Sequence, residues 1–245
     1  MTLSTQKTSS QQVSYRLGVD IGGTFTDVVL VGSSGQIMTR KVSSTEDDYA
    51  RGIVTGIREL LTSVDCQDFT VSEIMHGTTV ASNTILQMTG ARTGLITTQG
   101  FRDVLELRTL RMPRLYDLKW EKPPPLVERY LRVEVDERID RDGEIEKPLD
   151  RADARQAIER LLAEGVEAIA VCLINSFANP VHEQLIFEVI QEAAPDLPCC
   201  ISYNVLPEIK EYERTSTTVI NAYLLPVIAS YLNSLVARLK DEGIQ

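Results

Sequence analysis

Residues 17–30 read LGVDIGGTFTDVVL. An apolar run over 15–20 ends at Asp20 and a Gly22–Gly23 turn, and a second apolar run, 27–31, starts at Asp27. A further turn at Gly32–Gly35 leads into QIMTRKV over 36–42. Strand, tight turn, strand, tight turn, strand reads as an antiparallel meander. Gly22 and Gly23 permit positive φ and let a ligand approach the backbone with no Cβ in the way. Successive N–H groups in such a turn form an anion-binding concavity. The Thr24 and Thr26 hydroxyls suit phosphate oxygens. Asp20 and Asp27 would repel a bare anion, so they make sense as ligands of a bound Mg²⁺. The turn is not a P-loop, which would need G-x-x-x-x-G-K-[ST]. Residue types alone leave a second reading open, an ordinary hairpin turn with polar threonines.

Working outward, a helix is expected next, because Ala50, Ile53, Val54, Ile57, Leu60 and Leu61 recur on one face. Ile74–Met75 leads into HGTTVASN and a helix to about Met88; ARTGLITT, 91–98, reads as a strand. After a short helix from Phe101, residues 108–130 are irregular, with Trp120 and three consecutive prolines, Pro123–Pro125. A hairpin is expected over 133–148 around Asp142–Gly143. From Asp150 the rhythm is β/α. Asp150 caps a helix that Gly165 ends, and 168–174 reads as a buried strand. Asn179–Pro180 opens another helix. Residues 200–206 read as a strand, and from Pro207 a long helix is expected, interrupted at Pro226. No internal repeat is found.

The composition bounds the function. The 245 residues carry 25 Lys+Arg against 35 Asp+Glu, a net charge of −10, with 43% hydrophobic and 24% charged residues. That is ordinary for a globular protein, and a chain this long buries roughly 70–75% of its unfolded surface. The acidic balance argues against a nucleic-acid backbone as partner, while a backbone N–H cradle binds nucleotide phosphates without net positive charge. The longest uninterrupted apolar run, 168–174, is too short to span a membrane, and no signal peptide opens the chain. Residues 1–14 read as a polar, disordered tail. Cys66, Cys172, Cys199 and Cys200 form no C-x-x-C pair, so reduced thiols and a cytoplasmic location are expected.

The turn also resembles a known group. LGVDIGGTFTDVVL is similar to the first phosphate loop of the actin/sugar-kinase/Hsp70 ATPase superfamily, and more closely to the N-terminus of the hydantoinase A/5-oxoprolinase family. HGTTVASNTIL (76–86), GLITTQGFRDVLEL (94–107), RLYDL and KPPPLVER (within 114–129), EVDERIDRDGEIEKPLD (134–150), INSFANPVHEQ (174–184) and EYERTSTTVINAYLLPVI (211–228) resemble that family in order. The resemblance implies an α/β chain with a ribonuclease H-like, actin-like ATPase first lobe and an attached β/α subdomain. It divides the chain into the tail, an N-terminal family domain over 15–206, and the start of the hydantoinase A core over 207–245.

The same resemblance implies ATP-dependent chemistry on a small cyclic amide or ketone. Family members open 5-oxoproline or hydantoin rings, or carboxylate ketones such as acetone and acetophenone. ATP phosphorylates the substrate oxygen, and a hydantoinase B-type subunit or domain completes the reaction. Asp20, Gly22, Gly23, Thr24, Thr26 and Asp27 would hold Mg²⁺ and ATP phosphates. His76 would donate a proton or orient the oxygen, with Thr78, Thr79 and Asn83 around the substrate. The residues themselves also allow a plain helix-capping turn at Thr78 or Thr79. A superfamily cleft needs a second phosphate loop, and none follows. The chain is therefore expected to be an N-terminal part, inactive alone; a carboxylase ATP-binding subunit and a non-catalytic fragment are the alternatives.

Four further features have bland readings beside functional ones. His182 is expected at the surface or a hinge. Arg214, beside Glu211 and Glu213, reads as a structural ion pair or a substrate-anion contact. Arg102, Arg108, Arg111 and Arg114 concentrate positive charge that suits a substrate carboxylate, a partner protein or a solvated loop face.

Overall fold

A computed structural model describes residues 13–45, 48–63, 69–109, 116–117 and 119–244. Most of the expected tail, together with Cys66, Arg111 and Arg114, lies outside the described residues. Two compact units emerge, residues 1–87 with 228–245, and residues 88–227.

The first unit is built on β1 (Val13–Ile21), β2 (Phe25–Gly32), β3 (Ile37–Ser43) and β4 (Phe69–Thr78) in the order β3-β2-β1-β4. β1 runs antiparallel to β2 and parallel to β4. This is the strand order and direction expected of a ribonuclease H-like lobe. Alternation buries Leu17, Val19 and Ile21 of β1 and Val28 and Leu30 of β2 on one face. Helix α1 (Tyr49–Thr62) covers that face with Ile53, Ile57 and Leu60, its first turn capped by Asp48. Close approach needs Gly56, where a Cβ would lie 2.8 Å from Val28 Cγ2. Helix α2 (Val80–Gln87) follows β4.

The second unit holds an all-parallel sheet, β10-β9-β5-β6, formed by β5 (Thr93–Thr98), β6 (Arg132–Val135), β9 (Ala168–Cys172) and β10 (Cys199–Ile201). β5 and β9 are buried at every position, as central parallel strands must be. The chain also forms α3 (Val104–Leu107), α4 (Arg151–Ala163), α5 (Val181–Ala193) and α6 (Ser202–Val205). Asp150 accepts a hydrogen bond from Ala152 N at 2.8 Å as the cap of α4, and Gly165 (φ +71°) ends its turn as expected. Helix α7 (Glu211–Asp241) contributes Val219 and Ala222 to this core, and Tyr231 and Leu235 to the core of the first unit. By length and composition alone α7 could cross a membrane; part of its apolar character serves the two cores, while Leu225, Leu232 and Val236 are exposed.

Three expectations change. The hairpin expected over 133–148 divides: β6 joins the parallel sheet beside β5, and only β7 (Arg138–Ile139) and β8 (Ile145–Lys147) form a hairpin. The strand expected over 200–206 stops at Ile201, and α6 takes over. Helix α7 runs unbroken through Pro226, because a proline removes one backbone donor while the remaining ladder bonds persist.

Candidate functional site

The β1–β2 turn gathers the residues singled out above. Gly22 N–H donates to Phe25 C=O at 2.9 Å and closes the turn. Ser44, just past β3, ties it down: its hydroxyl donates to Gly22 C=O at 2.8 Å and lies 3.0 Å from Thr26 Oγ1, and its N–H donates to Thr24 C=O at 2.9 Å. Neither Gly22 nor Gly23 has positive φ, which corrects the conformational reason for the glycines. Space is the remaining reason. A Cβ on Gly22 would lie 3.1 Å from Phe25 O. Thr26 is a second correction: it is fully buried, so its hydroxyl braces the loop while Thr24 is the exposed threonine.

Register explains the electrostatics. Asp20 pairs with Asp27 across β1 and β2, Asp27 with Lys41 across β2 and β3, and Asp20 with Gly77 across β1 and β4. One row across the open face of the sheet therefore reads Gly77, Asp20, Asp27, Lys41. Like charges directly opposite each other on adjacent strands are unfavourable. Lys41 answers one of them, with Nζ 2.6 Å from Asp27 Oδ2, and it also lies 5.3 Å from the Phe25 ring centroid. Asp20 is exposed and has no hydrogen-bond or ion-pair partner among the described residues. Gly77 leaves the space beside it open: a Cβ there would lie 3.3 Å from Asp20 Oδ1. Two facing carboxylates beside a backbone anion cradle fit Mg²⁺, which takes one or two carboxylates plus phosphate oxygens. No cluster of three or more His, Cys, Asp or Glu side chains suited to a metal occurs among the described residues.

The second group borders the same turn. Thr79 N–H and Oγ1–H both donate to Ile21 C=O at 3.1 Å. Asn83 Nδ2 donates to Thr79 Oγ1 at 3.3 Å, and a Cβ on Gly23 would lie 3.6 Å from Asn83 Nδ2. Thr78 Oγ1 accepts from Val80 N–H at 3.1 Å and caps α2. The capping reading and the site reading are thus compatible. His76 alternates with Gly77, so it lies with Val19 and Val28 on the covered face, where Tyr231 Oη hydrogen-bonds His76 Nε2. Tyr49 meets the Tyr231 ring edge-on at 6.4 Å. Burial pushes the His76 pKa below its ordinary value against the opposing pull of nearby Asp20, and burial raises that of Tyr231. Ser44, Lys41 and Tyr231 escape a local reading of the sequence, since Ser44 and Lys41 reach the turn, and Tyr231 reaches His76, from distant segments.

The remaining candidates support the second unit. His182 is buried, against the surface reading: Glu137 accepts from Nδ1 at 2.7 Å, and Nε2 accepts from Leu149 N–H at 3.3 Å. Arg214 is fully buried and donates to the carbonyls of Glu208 (2.6 Å) and Leu173 (2.8 Å), with Phe177 beneath the guanidinium. The expected ion pair is replaced by carbonyl contacts. Buried Glu183 accepts from Leu173 N–H, Ser202 Oγ and Tyr203 N–H. Arg102 lies 3.5 Å from Glu134, and Arg108 donates to Pro123 C=O. A cavity of about 450 Å³ lies in this unit, lined by Phe101, Val104, Leu107, Arg108, Lys210 and Tyr212 among others.

A sequence profile of the hydantoinase/oxoprolinase N-terminal region matches residues 16–194. The caprolactamase subunit alpha of Pseudomonas jessenii is 38% identical over 97% of the chain, and the alignment covers 35% of that protein. The acetophenone carboxylase gamma subunit of Aromatoleum aromaticum is 33% identical over 96% of the chain and 34% of its own length. In the crystal structure of the ATP-dependent caprolactamase from Pseudomonas jessenii, 34% of the solved chain superposes on 94% of this one, with a TM-score of 0.82 and 37% identity. The chain thus spans about a third of the length of these relatives.

Proposed function

The chain belongs to the hydantoinase/oxoprolinase family, and from that premise we propose that it is the N-terminal, phosphate-holding part of an ATP-dependent cyclic amide hydrolase. The observation that carries the reading is the row Gly77, Asp20, Asp27 beside a glycine turn braced by Ser44 and Thr79. Backbone N–H groups at Gly23 and Thr24 would bind phosphate oxygens, while that of Gly22 closes the turn on Phe25 C=O, and Asp20 and Asp27 would hold Mg²⁺. When bound, Mg·ATP supplies the phosphoryl group that activates the carbonyl oxygen of a lactam or hydantoin. Ser44 and Thr79 keep the turn rigid, so its dipoles need no rearrangement when charge develops. Asn83 and Thr79 border the substrate side. His76 lies on the covered face behind this row, with Nε2 engaged by Tyr231, so its part in this reading is to position Gly77 and Thr78 at the site.

In this reading residues 15–206 form the family's N-terminal domain and residues 207–245 open the adjoining core. A hydantoinase B-type subunit or domain completes ring opening, in the cytoplasm, where the free thiols of Cys172, Cys199 and Cys200 persist. The test is Asp27→Ala in the complete enzyme. Lactam-dependent ATP turnover should fall by about 10²-fold or more, and unchanged turnover would sink the assignment. The carboxylase relative favours a second reading, an ATP-binding subunit acting on a ketone. ATP consumption that requires both ketone and bicarbonate would select it; consumption with a lactam alone selects the hydrolase.

A further inference from the structure

The row across the open face of the first unit has a fourth member that the phosphate-loop reading does not use. Lys41 lies on β3, the edge strand next to β2, directly opposite Asp27. Its ammonium is 2.6 Å from Asp27 Oδ2, on the carboxylate that also faces Asp20. The Phe25 ring, 48% exposed at the mouth of the turn, lies 5.3 Å from the same ammonium. The ammonium therefore rests on a carboxylate and an aromatic face at the rim of the proposed cation site.

We propose that Lys41 is a built-in counter-cation: it neutralises Asp27 while no nucleotide is bound, and it must leave Asp27 when Mg²⁺ with nucleotide takes the two carboxylates. This rests on the phosphate-loop reading above and adds a regulatory consequence, that Lys41 competes with Mg²⁺ and sets how much the site requires. The argument is one of charge. Asp20 and Asp27 face each other, which costs free energy unless a cation is near. A single ammonium satisfies one carboxylate and leaves Asp20 open, so the site is half-neutralised and still attracts a divalent ion. Both side chains of the Lys41–Asp27 pair are about half exposed, so the pair is weak enough to be exchanged. A compact ammonium on a flexible stem can swing away without disturbing β3, which suits a placeholder better than a guanidinium fork would.

The experiment is a Mg²⁺ titration of the ADP-induced rise in melting temperature, on the complete protein, for wild type, Lys41→Met and Lys41→Arg. ADP keeps turnover out of the readout. With the competitor removed, Lys41→Met should reach half of its full shift at about two- to fivefold less Mg²⁺ than wild type. Lys41→Arg keeps the charge and grips the carboxylate with two N–H groups, so it should need at least as much Mg²⁺ as wild type. A requirement that is unchanged or higher in Lys41→Met overturns the proposal while leaving the phosphate loop intact. If wild type shows no Mg²⁺-dependent shift with either ADP or ATP, the phosphate-loop reading and this proposal fall together.

Discussion

At Gly23 the sequence suggests a conformational reason for glycine, and the fold itself requires none. Its φ is ordinary, and a Cβ there would meet Asn83 Nδ2 at 3.6 Å, a normal van der Waals contact. Gly23→Ala should therefore fold as well as wild type, and even gain about 0.4–1 kcal/mol through a stiffer unfolded chain. Yet the added methyl stands where the backbone must approach a phosphate, so the Mg·ADP shift in melting temperature should disappear. A variant that keeps the shift would move the phosphate away from this turn. His76 makes the second residue-scale prediction. Burial holds its pKa below the ordinary value of about 6.5 despite the nearby Asp20 carboxylate. A base whose folded pKa is lowered binds fewer protons in the folded state, so its contribution to stability rises with pH and is lost as pH falls from that ordinary value toward the folded one. Of the two histidine signals in an NMR titration, that of His76 should have its midpoint below 6.5 and should move when Tyr231→Phe removes the phenol hydroxyl. A midpoint at or above 6.5 would contradict the half-buried, Tyr231-bonded ring.

Elements were legible where the signal is local. Asp150 announces α4, and the structure has its carboxylate accepting from Ala152 N–H. Asp150→Ala should cost about 1 kcal/mol in chemical denaturation; no change would mean that packing of Ala154, Ile158 and Leu161 alone fixes the helix start. The β1–β2 turn was legible for the same reason, because strand alternation and paired glycines lie within fourteen consecutive residues. Elements whose identity depends on a distant partner were misread. Val133 and Val135 alternate as a hairpin strand would, but β6 pairs in parallel with β5, some 37 residues earlier, and no local feature encodes that choice. Residues 200–206 carry enough apolar character for a strand, yet the backbone turns at Ser202, whose hydroxyl donates to buried Glu183 at 2.6 Å. His182 reads locally as a surface residue because Glu137, its partner, lies 45 positions away. A proline in a helical stretch reads as a break, although in α7 one lost ladder bond is outweighed by the core residues on either side of it.

For the whole molecule, the division into two units localises the expected effect of nucleotide. Every residue assigned to phosphate, Mg²⁺ or the substrate side, from Asp20 to Asn83, belongs to residues 1–87, whose sheet has its own core around Leu17, Ile21, Leu30, Ile53 and Ile57. The parallel sheet of residues 88–227 has a separate core around Ile96, Ile158, Leu161 and Val171. A ligand that binds only the folded state slows the opening reactions that expose its site. Mg·ADP should therefore slow amide hydrogen exchange over 18–32, 41–45 and 76–84, with the strongest effect at Gly23 and Thr24, whose N–H groups are assigned to phosphate. Exchange within β5 and β9 reports the other core and should change little, because these strands are buried at every position and carry none of the assigned residues. Protection centred instead on Gly100–Thr109 and Lys210–Glu213 would place the nucleotide in the cavity of about 450 Å³ lined by Arg108 and Lys210. That outcome would transfer the phosphate assignment from the glycine turn to a cavity lined by Arg108 and Lys210 together with Asp103, Glu211 and Glu213. The two sites call for opposite variants, since Asp27→Ala disables the first and Arg108→Ala the second, so the exchange pattern and the mutants must agree for either assignment to stand.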